Sequence, residues 1–300
     1  MRVPVQKAAP LAPEPEAKKR RWRLPRLSFK AGFRLFLFVL VLFVVGSVIY
    51  AVRTIPKRFT VLVIGSDQRA DERGRSDVLM VVSVSQDPDD PVSILTIPRD
   101  TRVEVEGFGM QKITHAYALG DAESDGKSLG NQKLTKKTVE QFLDISIDGT
   151  LEITFKSFQD IIDQLGGITT KQYGHLDGDD ALKKVRDRNR EGGDFARTED
   201  QREVLMEVVN EIRKQNAYQD VYAFLKDSSG SRIVVPKLRL ALFSAYALLR
   251  RGGSISFKDV HNDVIPGSSQ RIYTPEFKKE LYYWVPDQTK TEEVIAEWFS

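Results

Sequence analysis

Phe59–Gly65 (FTVLVIG) and Val78–Ser85 (VLMVVSVS) are nearly unbroken runs of Val, Leu, Ile, Met and Phe. Apolar residues at successive positions, rather than every second one, predict strands covered on both faces. Val92–Ile97 (VSILTI) follows the turn signal Asp87-Pro88-Asp89-Asp90-Pro91 and predicts a hairpin with the run before it. Leu151–Phe155 is a further strand candidate. Helical spacing appears at Leu134–Leu143 and at Phe155–Leu165, where Phe158, Ile161, Ile162 and Leu165 share a face and Gly166-Gly167 supplies the stop. A long helix is predicted over about Arg197 to Lys214, burying Val204, Leu205, Val208, Val209 and Ile212. Two more are predicted at Pro236–Leu249 and Glu292–Phe299. Strands mixed with helices in this way predict an α/β fold, a three-layer α-β-α sandwich around a mixed central sheet. No internal repeat and no linker long enough for a second independent domain is present.

Upstream of the strands, Leu35 to Val52 is 18 residues without a charge. With Ala31, Gly32, Phe33 and a snorkelling Arg34 it makes a span of about 20 residues, enough for the apolar layer of a membrane. A buried core helix of that length would keep a polar face. A cleaved signal peptide would have a shorter apolar run and a small-residue cleavage site, which does not follow here. The chain thus divides into a basic, disordered cytoplasmic tail (1–30), one transmembrane helix (31–52) and a folded extracytoplasmic domain (57–300). Eight basic residues lie between Lys18 and Arg34, against Arg53, Lys57 and Arg58 just beyond the span, which sets the N-terminus inside. Pro4, Pro10, Pro13 and Pro15 mark the tail as unstructured.

Net charge is +3 over 300 residues, but residues 1–34 alone carry +8, which leaves −5 for the rest. The basic character belongs to the tail, so a nucleic-acid-binding surface on the folded part is not expected. Cysteine is absent, which excludes disulfides, thiolate zinc sites and a thiol nucleophile.

Two apparent motifs lead nowhere. Gly120 to Ser128 resembles a Walker A loop but has five residues between its glycines where four are needed, and its Asp121, Glu123 and Asp125 would repel phosphate. His115, His175 and His261 show no metal-ligand spacing and read as structural. The stronger signal is a set of arginines and aspartates at the ends of predicted elements. Gly65-Ser66-Asp67 ends the first strand, Arg75-Ser76-Asp77 opens the second and Ile97-Pro98-Arg99-Asp100 ends the third. Lys112 to Tyr117 (KITHAY), Val185-Arg186-Asp187-Arg188 and Gly193 to Gln201 (GDFARTEDQ) follow. Strand ends are where α/β sheets gather ligands. For Arg186 and Arg188 to serve one site, the helix holding Leu182 and Val185 must end near Arg186. Arg197 and Gln201 share a helix face, with Asp194 placed to cap it. Several arginines converging on one place need a polyanion, and their forked donors suit phosphate. Asp67 and Asp77, without thiols or clustered histidines, are hard-oxygen ligands suited to Mg²⁺ or Mn²⁺. That combination is what phosphoryl transfer requires.

On these residues the sequence resembles the LytR–CpsA–Psr family of cell-wall glycopolymer transferases. The runs that carry the resemblance are RSDVLMVVSV (75–84), ILTIPRDTRVEVEGFGMQKITHAYALG (94–120), VEQFLDISID (139–148), FQDIIDQLGGI (158–168), LDGDDALKKVRDR (176–188) and GDFARTEDQREVL (193–205). The resemblance implies a lipid-linked glycan pyrophosphate lying in an apolar groove, and transfer of the phospho-glycan to a peptidoglycan sugar hydroxyl. It implies that Asp67 and Asp77 hold Mg²⁺ and that Arg99, Lys112, Arg186, Arg188, Arg197 and Gln201 cradle the pyrophosphate. Asp100 braces the arginines, and Asp67 or Asp77 is a candidate base. Ala196 and Asp200 depart from the family's usual glycine and arginine, implying a weaker phosphate contact or a site tuned to another glycan. Hydrolysis of the same pyrophosphate, or polyprenyl-phosphate binding without chemistry, would use the same arginines.

Overall fold

The computed structural model describes residues 29–67, 74–87, 89–119, 130–187, 193–250, 260–274 and 278–299. Most of the expected tail lies outside them. The chain forms two compact units, Met1–Thr54 and Ile55–Ser300. In the first, α1 spans Phe29–Thr54. Its described side chains over 36–47 are all exposed, among them Phe36, Leu40 and Phe43. Among the described residues no helix is long and apolar enough to cross a membrane.

In the second unit the expected strands form. β1 is Arg58–Ser66, β2 Ser76–Ser85 and β3 Val92–Thr96, with short hairpin strands β4 Arg102–Val105 and β5 Gly109–Lys112 after them. Then come α2 His115–Ala118, α3 Gln132–Leu143, β6 Gly149–Thr154, α4 Phe155–Gln164, β7 Ile168–Thr170, β8 Gly174–Leu176, α5 Gly178–Arg186 and α6 Gly193–Gln215. The chain continues through α7 Tyr218–Asp227, β9 Ser231–Val234, α8 Lys237–Arg250, β10 Val260–Val264, β11 Gly267–Thr274, β12 Lys279–Pro286 and α9 Gln288–Trp298.

The six-stranded sheet runs β10-β3-β2-β1-β6-β9. It is mixed: β1 is antiparallel to β2 and parallel to β6, and β2 pairs antiparallel with β3 in the expected hairpin. Leu62, Ile64, Leu79 and Leu95 pack on one face against Tyr117, Val139 and Leu143 of α2 and α3, with Val294 and Ile295 of α9 beside them. On the other face Leu151 and Ile153 meet Ile161, Ile162, Val185, Val204 and Val221 from α4 to α7. Apolar residues at consecutive strand positions are explained by these two helical layers.

Some boundaries differ from expectation. α6 begins at Gly193, so Asp194 lies inside its first turn rather than capping it. α9 starts at Gln288, four residues early, because its N-cap is Asp287, whose carboxylate accepts the Lys290 N–H at 3.2 Å. The stop after α4 is sharper than a pair of flexible residues requires. Gly166 and Gly167 hold φ of +79° and +93°, and a Cβ on Gly167 would sit 2.4 Å from His175 Cε1 and 2.9 Å from Leu176 O, whereas one on Gly166 meets open space. Gly167→Ala is therefore expected to cost about 3 kcal/mol in urea unfolding, against about 1 kcal/mol for Gly166→Ala. Equal losses would contradict the packing account.

Candidate active site

The candidate site begins with a slip in the β1–β2 register. Gly65 pairs with Val78 and Ser66 with Ser76, so Asp77 is the extra residue of a bulge. Bulges re-aim side chains and recur beside active sites. Gly65 permits the close approach, since a Cβ there would lie 2.9 Å from Val78 Cβ. One residue beyond the pair, Asp67 N–H donates to Arg75 O at 3.1 Å, and the Asp67 carboxylate accepts the Arg75 N–H. Both aspartates are thereby held at one end of adjacent central strands.

Arg99, just past β3, donates from Nη1 to Asp77 Oδ1 at 2.6 Å. Its Nε lies 3.5 Å from Asp100 Oδ2, and Asp100 Oδ1 accepts from Lys112 Nζ at 2.7 Å. The four charges alternate as Asp77, Arg99, Asp100, Lys112, and their side chains are 12 to 21% exposed. Asp100 stands between one arginine and one lysine: without it two partly buried positive groups would face each other. Backbone bonds from Ile113 N to Thr101 O and from Thr114 N to Arg99 O zip the two segments together. Behind them β12 supplies a buttress. Trp284 N–H donates to Asp100 O at 3.0 Å, and Lys112 Nζ stands 5.6 Å from the Tyr283 ring centroid.

His115 belongs to this pole rather than to structure alone. Its Nδ1 is 3.1 Å from Gln111 Oε1. Burial first, then the Arg75 and Lys112 charges, push its pKa below the usual histidine value, against an upward pull from Asp100. No sequence spacing could have shown this, because its neighbours come from three separate segments.

An apolar groove leads away from the pole, on the sheet face covered by α4 to α6. Val63, Val78, Met80, Phe158, Leu182 and Leu205 line it, with Gln201 at its rim. It encloses about 90 Å³, well under the ~300–1,000 Å³ of sites for larger ligands. A long hydrocarbon chain thus requires the helices to part from the sheet. The lining begins one residue from Asp77 and two from Asp67. On the far wall α5 ends at Arg186, as expected, with Asp187 extended beyond it. The Arg186 guanidinium packs 4.8 Å over the ring of Phe155, another lining residue. Gln201 Nε2 donates to Val185 O at 3.1 Å, tying α6 to the last turn of α5.

The structure thus joins Asp77, Arg99, Asp100 and Lys112 directly, sets Asp67 beside them, and places Arg186 and Gln201 on the opposite wall. Arg188 and the Arg197 side chain lie outside the described residues. Asp200 is 2% exposed, and its carboxylate accepts the Tyr173 hydroxyl at 3.1 and 3.2 Å. It is turned into the protein, because neighbouring helical residues point about 100° apart. A metal bound through two carboxylates plus phosphate oxygens suits Mg²⁺. Asp67 and Asp77 fit that donor set, and among the described residues no group of three His, Asp or Glu offers a fuller cage.

Fold and site together define an α/β domain whose apolar groove ends at a pole where Arg99 and Lys112 are interleaved with the carboxylates of Asp77 and Asp100, with Asp67 beside them. The chain belongs to the LytR_cpsA_psr family, whose model matches residues 51–298. It is 36% identical over 259 residues to the polyisoprenyl-teichoic acid–peptidoglycan teichoic acid transferase TagU of Halalkalibacterium halodurans, covering 80% of this chain and 77% of that one. Bacillus subtilis TagV has a similar structure, with a TM-score of 0.60, 27% identity, and coverage of 80% of this chain and 95% of that one. TagT bound to LI-WTA matches with a TM-score of 0.59 and 28% identity over 80% of this chain and 89% of that one.

The lowered pKa of His115 predicts a pH dependence. Below about 6.5 the unfolded chain takes up a proton that the folded chain resists, so folding weakens as pH falls through that range. His115→Gln should flatten the loss of stability between pH 7.5 and 5.5, measured by urea midpoints. An unchanged slope would show that burial and the Arg75 and Lys112 charges do not lower the His115 pKa.

Proposed function

We propose that this chain is a membrane-anchored, Mg²⁺-dependent phosphotransferase. It moves a glycopolymer with its phosphate from a polyprenyl-pyrophosphate donor to a peptidoglycan sugar hydroxyl. The observation that carries this reading is the continuity of an apolar groove with a pole of alternating charges. A lipid pyrophosphate has that polarity profile, an apolar tail joined to a compact polyanion. The similarity to transferases named for teichoic acid and peptidoglycan supports the same substrate classes here.

In the reaction, the acceptor hydroxyl oxygen forms a bond to the glycan-bearing phosphorus. The bond from that phosphorus to the bridging oxygen breaks, and polyprenyl phosphate leaves with the electron pair. Arg99 and Lys112 meet the charge on one side and Arg186 and Gln201 from the other wall; Arg188 and Arg197 are assigned to the same phosphates by the sequence resemblance. Mg²⁺ held by Asp67 and Asp77 would neutralise charge on the phosphate oxygens. The hydroxyl proton passes to a carboxylate of the pair, Asp67 or Asp77, each of which accepts one hydrogen bond from an arginine residue here. The exposed apolar residues of α1 fit a helix whose solvent is lipid. The basic excess before it sets the catalytic domain outside the cell membrane and the N-terminus in the cytoplasm.

The test is to incubate the full chain with a polyprenyl-pyrophosphate oligosaccharide, a peptidoglycan oligomer and Mg²⁺. Glycan phosphate should appear on the acceptor, and Arg99→Ala should lower kcat by about 10²–10³-fold, the scale of losing one charge-stabilising donor. Free glycan phosphate released at the same rate without acceptor would establish hydrolysis instead. Tight lipid binding with no turnover would establish a carrier.

A further inference from the structure

Glu152 and Arg232 form a charge pair that the reaction above does not use. Glu152 is fully buried and Arg232 is 4% exposed. They are cross-strand neighbours on β6 and β9, with Arg232 Nη2 3.2 Å from Glu152 Oε2. They sit on the sheet face opposite the groove, under α2. Taking both charges out of water is costly, and apolar residues of like volume often serve stability as well or better. Their presence therefore needs a geometric reason, and their other partners supply one.

Glu152 Oε1 accepts the Tyr117 hydroxyl. Burial, then the Glu152 charge, raises the Tyr117 pKa far above its usual value, against the neighbouring Ser66 hydroxyl, so Tyr117 remains a donor. Arg232 Nη2 also donates to Gly130 O at 2.9 Å. Gly130 lies flat against Tyr117, since a Cβ there would be 2.4 Å from the ring, and Asn131 N–H donates to Tyr117 O at 2.7 Å. The pair thus clamps Tyr117 from its hydroxyl, its ring and its backbone. Tyr117 closes the segment that carries Lys112 and His115, and that segment is zipped to Arg99 and Thr101. Ser66, its other neighbour, directly precedes Asp67.

We infer that the buried Glu152–Arg232 pair is a positioning device that acts through Tyr117 to hold Lys112, Arg99 and Asp67 at the geometry the phosphate site requires. The inference rests on the proposed transferase reading. Tyr117 and Glu152 are positioning residues and touch no reacting atom.

The experiment compares the full wild-type chain, Tyr117→Phe, the double variant Glu152→Leu/Arg232→Met, and Arg99→Ala. For each, the thermal midpoint, the binding of inorganic pyrophosphate with Mg²⁺, and kcat and acceptor KM for transfer are measured. A positioning role predicts at least a tenfold fall in kcat for Tyr117→Phe and for the double variant. Thermal midpoints should stay within a few degrees and acceptor KM should not change. A lowered midpoint with wild-type kcat per folded molecule would overturn the inference, the pair then being structural only. If the double variant does not fold, Tyr117→Phe decides alone, since it removes one oxygen and keeps the ring against Gly130. The two readings separate through the controls. Wild-type pyrophosphate binding that is lost in Arg99→Ala upholds the site, and unchanged kcat in Tyr117→Phe then overturns the inference alone. Absence of pyrophosphate binding in the wild type would overturn both.

Discussion

The pairing of β1 with β2 is the constraint on which the rest of the second unit depends. These strands lie at the centre of the sheet, and every other strand of it is added outward from them. Their slip at Gly65 and Ser66 converts a regular ladder into a place where Asp67 and Asp77 leave the sheet plane together. A regular register would send alternate side chains to opposite faces. It would also bury one carboxylate beneath a helical layer with nothing to neutralise it. A glycine at the slip is required because β2 comes too close for a side chain.

Electrostatics then decides what can assemble at that end. Two like charges 4 Å apart cost roughly 4 kcal/mol near a protein surface. Arg99 and Lys112 are kept from that cost by Asp100 between them, with Asp77 on the outer side of Arg99. The apo arrangement is stable because its cations are already paired with carboxylates. The pyrophosphate of the proposed reaction would compete for the same donors, so its binding would be an exchange of anions around Arg99 and Lys112 rather than the filling of a naked positive pit. A metal on Asp67 and Asp77 would favour that exchange, because it draws Asp77 away from the guanidinium.

Much of this was legible beforehand for a definite reason. The strands at 58–66, 76–85 and 92–96 are written in consecutive apolar residues, and the end of α5 at Arg186 in the charged residues that follow Val185. What stayed hidden depends on partners distant in sequence. His115 reads as isolated until Arg75, Lys112 and Asp100 surround it. Tyr283 lies far along the chain from the lysine it underlies. The hairpins β4–β5 and β7–β8 have strands of only three or four residues, too short for a periodicity to announce them. The partner of Asp200 was hidden too, because residue type alone does not say which way a helical side chain turns; Tyr173 does.

The two faces of the sheet divide the work. Along β6, Leu151 and Ile153 point to the groove side while Glu152 between them points to the α2 side. One face is therefore kept apolar and deformable, where a hydrocarbon chain needs the helices to yield. The other is cross-linked by buried charges and hydrogen bonds to Tyr117, Gly130 and the segments around Arg99. Packing between apolar surfaces has little directionality and can slide, whereas a hydrogen-bonded ion pair fixes distance and angle. On the proposed function, a protein that opens for a lipid tail and still holds a pyrophosphate in fixed geometry would not ask both of one layer. The alternation of a single strand separates them, and the bulge at Asp77 is where the yielding face and the rigid one meet.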